Sequence, residues 1–182
     1  MDVALIPHPL HPPRAIMRVE VEVKRASAGR LELRYRLFGE MDDLLLAPPA
    51  PPLRTDNLWR TTCFEAFFAR PGAPAYREFN FSPSSEWAAY DFRSYRDPER
   101  ADAPLAEPPV VTLMPRRAER LVLNAGVATD LGRASWRLGL SAILEETDGT
   151  KSYWALAHPD PARPDFHHPD CFAFQLPALG EA

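Results

Sequence analysis

Residues 58–92, LWRTTCFEAFFARPGAPAYREFNFSPSSEWAAYDF, form three short strand patterns separated by two turn signals. In the middle pattern one face carries Arg77, Phe79 and Phe81, and the other carries Tyr76, Glu78 and Asn80. Glu65 holds a similar position between aromatic neighbours in the first pattern. Carboxylate, amide and aromatic groups on one face are typical of a ligand cleft. The stretch therefore predicts antiparallel strands whose polar face either binds a ligand or holds a structural hydrogen-bond network.

The same two-residue period covers most of the remaining chain. It predicts a first hairpin and four later strands, at residues 19–24, 31–37, 121–128, 136–144, 152–158 and 171–176. No window sustains a 3.6-residue apolar repeat, so long helices are not expected. The 21 prolines cluster between these patterns, at 48–52, 98–109 and 159–169. The sequence thus predicts an all-β fold: an antiparallel β-sandwich, jelly-roll-like with immunoglobulin-like layers, of about nine to ten strands with Pro-rich loops.

Length and charge limit the possible functions. The 182 residues suit a single domain spanning 1–182, since no repeat or linker divides them. A net charge of -4 provides no basic surplus to neutralise phosphates, which excludes a general nucleic-acid binder. The N-terminus lacks the basic and apolar regions of a signal peptide, and no stretch approaches the roughly 20 apolar residues that span a bilayer. We therefore expect a cytoplasmic protein without a membrane span.

The two cysteines, Cys63 and Cys171, both fall in predicted apolar strands. In a reducing compartment we expect them to be buried free thiols rather than a disulfide. Two cysteines are too few for a cysteine-based zinc site.

Tryptophans beside loops are the first candidates for binding a small molecule. Trp59 and Trp87 each open a strand pattern directly after a loop, whereas Trp136 lies in a clean apolar alternation typical of a core. Indole rings at strand ends can stack on the apolar face of a sugar while nearby Asn, Glu and Arg bind its hydroxyls. The same rings could instead cover the rim of the core. The pattern favours a non-catalytic sugar binder, and covering of the core rim is the alternative role of these tryptophans.

The tail SYWALAHPDPARPDFHHPDCF, residues 152–172, supports a different hypothesis. It holds three of the five histidines, interleaved with aspartates. Two histidines and one carboxylate can bind a divalent metal, which makes a metal-dependent enzyme the alternative. The spacing matches no zinc signature, and a loop held by His–Asp hydrogen bonds explains the same residues. The candidate ligands are His158, Asp165, His167 and His168.

Haem is the second alternative cofactor. It requires axial ligands such as Met with His, and Met41 or Met114 could oppose His158 or His167. No cysteine pair for covalent attachment is present, so the cofactor would be haem b. Other enzyme signatures are missing: there is no phosphate loop, nucleophile elbow or HExxH. Catalysis and a bound cofactor are therefore not expected, although Glu65 and Glu78 could form an acid–base pair.

Three motifs carry a family resemblance. LWRTTCFEAFF, YREFNFSPSSEWAAYDF and the tail, together with the HPxxPP opening at 8–13 and L-x-L-x-Y at 31–35, resemble the bacterial DOMON-like proteins. These are relatives of carbohydrate-binding module family 9 in the DOMON superfamily. The resemblance covers nearly the whole chain. It implies a β-sandwich with a pocket on one side that binds either a sugar or haem.

The resemblance also implies roles for particular residues. Trp59 matches the position of a sugar-stacking tryptophan, with Glu65 following on the strand, and Trp154 is the nearest match to a second stacking aromatic. Cys63 departs from the pattern, since sugar-binding relatives usually have an acidic residue there. Combined with the residues singled out above, the candidate ligand-binding set comprises Trp59, Arg60, Glu65, Glu78, Asn80, Trp87, Trp154, His158 and His167.

Overall fold

Strands make up nearly all the regular structure of this protein. The computed structural model describes residues 1–100 and 103–180, and their strands are β1 Asp2–Pro7, β2 Ile16–Ser27, β3 Arg30–Gly39, β4 Cys63–Ala69, β5 Tyr76–Phe81, β6 Trp87–Ser94, β7 Asp97–Arg100, β8 Val110–Leu113, β9 Arg120–Ala128, β10 Trp136–Glu145, β11 Lys151–Ala155 and β12 Phe174–Leu176. Short 3₁₀ turns lie at Met41–Asp43, Leu58–Arg60 and Pro169–Cys171. None of the described helical turns has the length or apolar character that crossing a bilayer demands.

Two sheets share strand β1. The first sheet has the order β1-β2-β3-β9-β8, and the second has the order β7-β6-β5-β4-β10-β11-β1, with β12 also paired to β10. The first half of β1 pairs with β2, whereas Ile6 and Pro7 pair with β11. All pairings between the named strands are antiparallel. The predicted all-β antiparallel sandwich is therefore confirmed.

The main core fills the space between the sheets. In β4 the residues Phe64, Ala66 and Phe68 face inward, and they meet valines and leucines of β2, β3 and β9. The Tyr35 hydroxyl of β3 crosses the core and donates to the Glu65 carbonyl oxygen at 2.7 Å. Complete burial of an aromatic or aliphatic side chain contributes about 1.5–3 kcal/mol, so these inward rows supply most of the driving force for folding.

A smaller core lies on the outer face of the second sheet. Residues 156–173, which we call the covering segment, place Phe172 against Phe67 of β4 with ring centroids 5.5 Å apart. Gly139 makes this contact possible, because a Cβ there would lie 2.6 Å from the Phe172 ring. The second sheet is consequently buried on both faces over part of its area, and its outward residues can form an enclosed site.

Several local predictions differ from the structure. There are twelve described strands rather than nine to ten, because β1, β7 and β8 were not predicted. Strand β7 contains Pro98 and lies at the edge of the second sheet, where a strand tolerates proline. Trp59 lies in a 3₁₀ turn instead of a strand. The strand predicted at 152–158 ends at Ala155. Residues 101–102 and 181–182 of the predicted single domain lie outside the described residues.

The thiol prediction is confirmed, although one location was wrong. Cys63 and Cys171 are both buried and free. Cys63 lies in β4, but Cys171 ends the 3₁₀ turn of the covering segment, and the last strand begins only at Phe174.

Candidate functional site

A cavity of about 670 Å³ opens on the outer face of the second sheet. Strands β4, β5, β6, β10 and β11 provide its floor, and the covering segment and the loop before β4 provide its walls. Its volume lies in the range typical of small-molecule sites. The lining residues are Asp56, Asn57, Trp59, Glu65, Glu78, Tyr90, Phe92, Arg96, Ile143, Tyr153, Pro164, Phe166 and His167.

Polar side chains from three neighbouring strands meet at the cavity floor. In the strand register Glu65 of β4 stands opposite Asn80 of β5 and Ser141 of β10. The Ser141 hydroxyl donates to Glu65 Oε2 at 3.0 Å, and Asn80 Nδ2 donates to Glu78 Oε1 at 2.6 Å. Glu65 and Glu78 are only 3% and 6% exposed. These groups form one buried network because antiparallel pairing puts them side by side on the same face.

Burial favours the protonated form of both carboxyl groups at the floor. Burial, and next the charge of Glu78, raises the pKa of Glu65 to about 8. Burial raises the pKa of Glu78 to about 7, against the opposing effects of its hydrogen bond from Asn80 and the charge of Arg96. Near pH 7 the pair therefore retains at least one proton. It can then donate a hydrogen bond through one carboxyl group and accept through the other.

His167 extends this network toward the covering segment. The Arg96 backbone N–H donates to the Tyr76 hydroxyl at 3.2 Å, and that hydroxyl lies 2.8 Å from His167 Nδ1. Burial, then the charge of Arg96, lowers the pKa of His167 to about 4, so the ring is neutral at pH 7. The Tyr76 hydroxyl can donate to Nδ1, which leaves the proton on Nε2, 3.7 Å from Glu78 Oε2.

An ion pair between the half-exposed Arg96 and the buried Asp165 fixes the covering segment over the sheet. Asp165 accepts hydrogen bonds from the Tyr95 hydroxyl at 2.6 Å and from Arg96 Nη2 at 2.8 Å. Burial alone would raise the pKa of Asp165, but these two hydrogen bonds outweigh it and lower the pKa. The β6–β7 turn and the covering segment are thus joined at the cavity wall by charge-assisted bonds.

Aromatic rings make up much of the remaining wall. They belong to Trp59, Tyr90, Phe92, Tyr153 and Phe166. Trp59 is 48% exposed and stands in the Leu58–Arg60 turn. The Tyr90 hydroxyl donates to Asp56 Oδ1 at 2.8 Å, which also accepts from Arg54 Nη2 at 2.9 Å. An apolar wall above a polar floor suits a ligand with one hydrophobic face and several polar groups.

Five of the nine predicted binding residues come together here. Trp59, Glu65, Glu78 and His167 line the cavity, and Asn80 supports Glu78 from the floor. Their role in binding a ligand stays a prediction.

The other four predicted residues lie elsewhere. Trp154 is 2% exposed in the core between the sheets, so it cannot stack on a ligand in this cavity without rearrangement. Trp87 packs against the same core. Arg60 points its guanidinium toward the Trp59 ring, 5.6 Å from the centroid, and does not line the cavity. His158 Nε2 lies 2.9 Å from the Ile6 carbonyl oxygen of β1 and does not line the cavity.

The proposed metal ligands are not gathered into a site. Among the described residues no group of three or more His, Cys, Asp or Glu side chains is arranged to hold an ion. Asp165 bonds Arg96, His167 bonds Tyr76, and His168 Nδ1 accepts from the Asp170 backbone N–H. For the haem alternative, Met41 is fully buried in the core between the sheets rather than at the cavity.

Three cavity residues that the sequence analysis missed could have been found from the alternation of their strands. Tyr90 stands opposite Glu78 in the β5–β6 register, and Phe92 stands opposite Tyr76. Both therefore lie on the outward face, as alternation from the inward Ala89 predicts. Likewise Tyr153 alternates with the inward Trp154. Arg96, Pro164 and Phe166 come from a turn and a loop, for which the sequence offers no such period.

Comparison with known proteins identifies the fold. The sequence matches no family profile and no curated protein. A solved structure from Bacteroides uniformis, of a protein whose proposed function is carbohydrate binding, superimposes with a TM-score of 0.67 over 93% of this chain and 83% of that chain. The two sequences are 13% identical. At this identity the likeness establishes a shared β-sandwich fold, and membership of the DOMON-like family stays a prediction.

Proposed function

We propose that this protein is a non-catalytic binding module for a carbohydrate or a sugar-like metabolite. The observation that carries the proposal is the cavity on the second sheet, where five aromatic rings face a floor of buried carboxyl and amide groups. The structural neighbour from Bacteroides uniformis supports the same ligand class, because its proposed function is carbohydrate binding. The sequence motifs add the finer proposal that the chain is a DOMON-like domain related to carbohydrate-binding module family 9.

The chemistry of the cavity matches that of a sugar ring. One pyranose face presents C–H groups, which pack well on an indole or phenol ring. The sugar hydroxyl groups can bind at the floor, where the partly protonated pair Glu65 and Glu78 both donates and accepts hydrogen bonds. Trp59 is the proposed stacking platform because it is the one tryptophan in the cavity lining of the described residues.

Calorimetric titration with a panel of neutral and charged mono- and disaccharides tests this function. Binding of at least one sugar at a stoichiometry of one per chain is the expected result. An absence of heat and of thermal stabilisation with every sugar in the panel would count against the proposal. An absorption spectrum of the same sample tests the haem alternative, for which a Soret band would be required.

Replacing Trp59 with alanine should weaken sugar binding by about 1–3 kcal/mol, the usual loss for an aromatic anchor. The folding stability should change by less than about 0.5 kcal/mol, since the side chain is half exposed in a 3₁₀ turn. Titration of the identified sugar into both proteins measures the first effect, and urea unfolding measures the second.

Met114→Ala provides the matched control for this substitution. Met114 is 43% exposed and lies outside the cavity lining. It should leave both affinity and stability unchanged. Equal affinity for the Trp59→Ala variant and the wild type would rule out stacking on this ring.

A further inference from the structure

Some charged residues that line the cavity have an oppositely charged neighbour, and others do not. Apart from two tyrosines, its ionisable lining residues are Asp56, Glu65, Glu78, Arg96 and His167. Two of them have a counter-charge at hand: Asp56 bonds Arg54, and Arg96 bonds Asp165. His167 is neutral near pH 7 because burial lowers its pKa to about 4. Glu65 and Glu78 are then the carboxyl groups whose charge still requires a partner.

Among the side chains that the structure describes, at 1–97 and 103–180, no Lys or Arg forms an ion pair with either glutamate. Their hydrogen-bond donors are the neutral Ser141 hydroxyl and Asn80 amide. The neighbouring Arg77 turns away from the floor and binds Asp91 at 2.6 and 2.9 Å. A buried carboxylate without a cation is costly, so the free protein retains protons on the pair. A ligand cation would relieve that cost.

The wall of the cavity also favours a cation. Five aromatic rings line it, and the face of each ring carries partial negative charge. Aromatic rings beside carboxylates are a recurrent arrangement around bound ammonium groups. The only guanidinium in the lining of the described cavity, that of Arg96, has its charge offset by the buried Asp165.

We propose that the ligand is an amino sugar, whose protonated amine binds between Glu65 and Glu78 while its ring packs on the aromatic wall. The inference rests on the proposed carbohydrate function and adds the charge of the ligand to it. A neutral sugar would occupy the same volume but would leave the carboxyl pair protonated, because it brings no charge that stabilises the carboxylates.

Proton release distinguishes this binding mode from neutral recognition. A cation stabilises the ionised carboxylates, so binding at pH 6.5 should release about one proton per ligand. The neighbouring groups with shifted pKa values keep one charge state between pH 6 and 8.5. Burial raises the pKa values of Tyr35, Cys63, Tyr76 and Tyr90, hydrogen bonds raise that of Arg96 against its burial, and those of His167 and Asp165 are lowered.

The test compares three derivatives of the same ring at pH 6.5, where an amine of ordinary pKa is protonated. Glucose and galactose, their 2-amino forms and their 2-acetamido forms are titrated in two buffers of different ionisation enthalpy. We expect one of the amino forms to bind at least about 10-fold more tightly than its neutral counterparts, with release of about one proton.

Glu65→Gln and Glu78→Gln should each remove most of that preference while retaining the shape of the floor. Glu32→Gln, an exposed change on β3 of the other sheet, is the matched control and should preserve it. Circular dichroism melting confirms that each variant is folded. Equal affinity for the three derivatives, or binding without proton release, overturns the amino-sugar inference and leaves sugar binding intact. Failure of all six compounds and of the wider panel overturns the proposed function itself.

Discussion

Raising the pH from 6.5 to 8.5 should lower the free energy of unfolding of the ligand-free protein by about 2–3 kcal/mol. The cause is the buried carboxyl pair at the cavity floor. Burial raises the pKa of Glu65 from 4.5 to about 8 and that of Glu78 from 4.5 to about 7. In the unfolded chain both groups ionise freely near 4.5, so in this pH range the folded state binds more protons than the unfolded state.

The sign follows from that difference. A carboxyl group with a raised folded pKa stabilises the fold fully below its unfolded pKa, and the contribution disappears as the pH passes through the folded pKa. Between the unfolded and the folded pKa, each pH unit lowers the free energy of unfolding by about 1.4 kcal/mol per group. Between pH 6.5 and 8 Glu65 accounts for about 2 kcal/mol, and Glu78 adds less than about 1 kcal/mol up to pH 7.

The pH range avoids the opposing effect of His167. Because its pKa is lowered from 6.5 to about 4, this residue destabilises the fold only as the pH falls below 6.5. Urea unfolding at intervals of half a pH unit measures the slope. The double variant Glu65→Gln, Glu78→Gln should be nearly flat between pH 6.5 and 8.5, whereas Glu32→Gln should follow the wild type. A flat wild-type curve would show that the two carboxyl groups are ionised and solvated, contrary to the structure.

The parts of the site that the sequence revealed are those governed by strand period. Glu65, Glu78 and Asn80 were recognised because polar residues interrupted an aromatic alternation, and antiparallel pairing then placed them side by side. The register of β4, β5 and β6 is determined locally, because only short turns connect these strands. Local sequence information was sufficient for this face of the sheet.

Contacts that join distant segments could not be obtained in the same way. Asp165 meets Arg96 across 69 residues of sequence, and the covering segment is positioned by this pair and by the packing of Phe172 on Phe67. Loops have no repeating period, so their path depends on the assembled sheet. The sequence offered Asp165 and His167 as metal ligands because it showed residue types without their partners.

The same limit explains the assignment of Trp154. Alternation alone shows that Tyr153 and Trp154 face opposite sides of β11, but not which side is the core. Pairing of Ala142 with Trp154 and of Ile143 with Tyr153 decides it, because Ala142 lies in the core between the sheets. The aromatic of β11 that reaches the cavity is therefore Tyr153.

Replacing Trp154 with alanine should destabilise the fold by about 3–5 kcal/mol, the range for truncating a buried Trp or Phe. The side chain is 2% exposed, and its Nε1 donates to the Ser152 hydroxyl at 3.0 Å. Alanine would leave a void between the sheets and an unpaired hydroxyl group. Domains of this size have total stabilities of about 5–15 kcal/mol, so the variant should be close to unfolding at 37 °C.

Trp154→Phe keeps most of the apolar volume and allows the binding role to be tested in a folded protein. It should lose less stability than the alanine variant and bind the identified sugar as the wild type does. Trp59→Ala is the complementary variant, because it should lose affinity and keep stability. If Trp154→Phe instead weakened sugar binding as much as Trp59→Ala at unchanged stability, Trp154 would contact the ligand. The cavity on the outer face of the second sheet would then not be the binding site, since the buried ring faces the opposite side of β11.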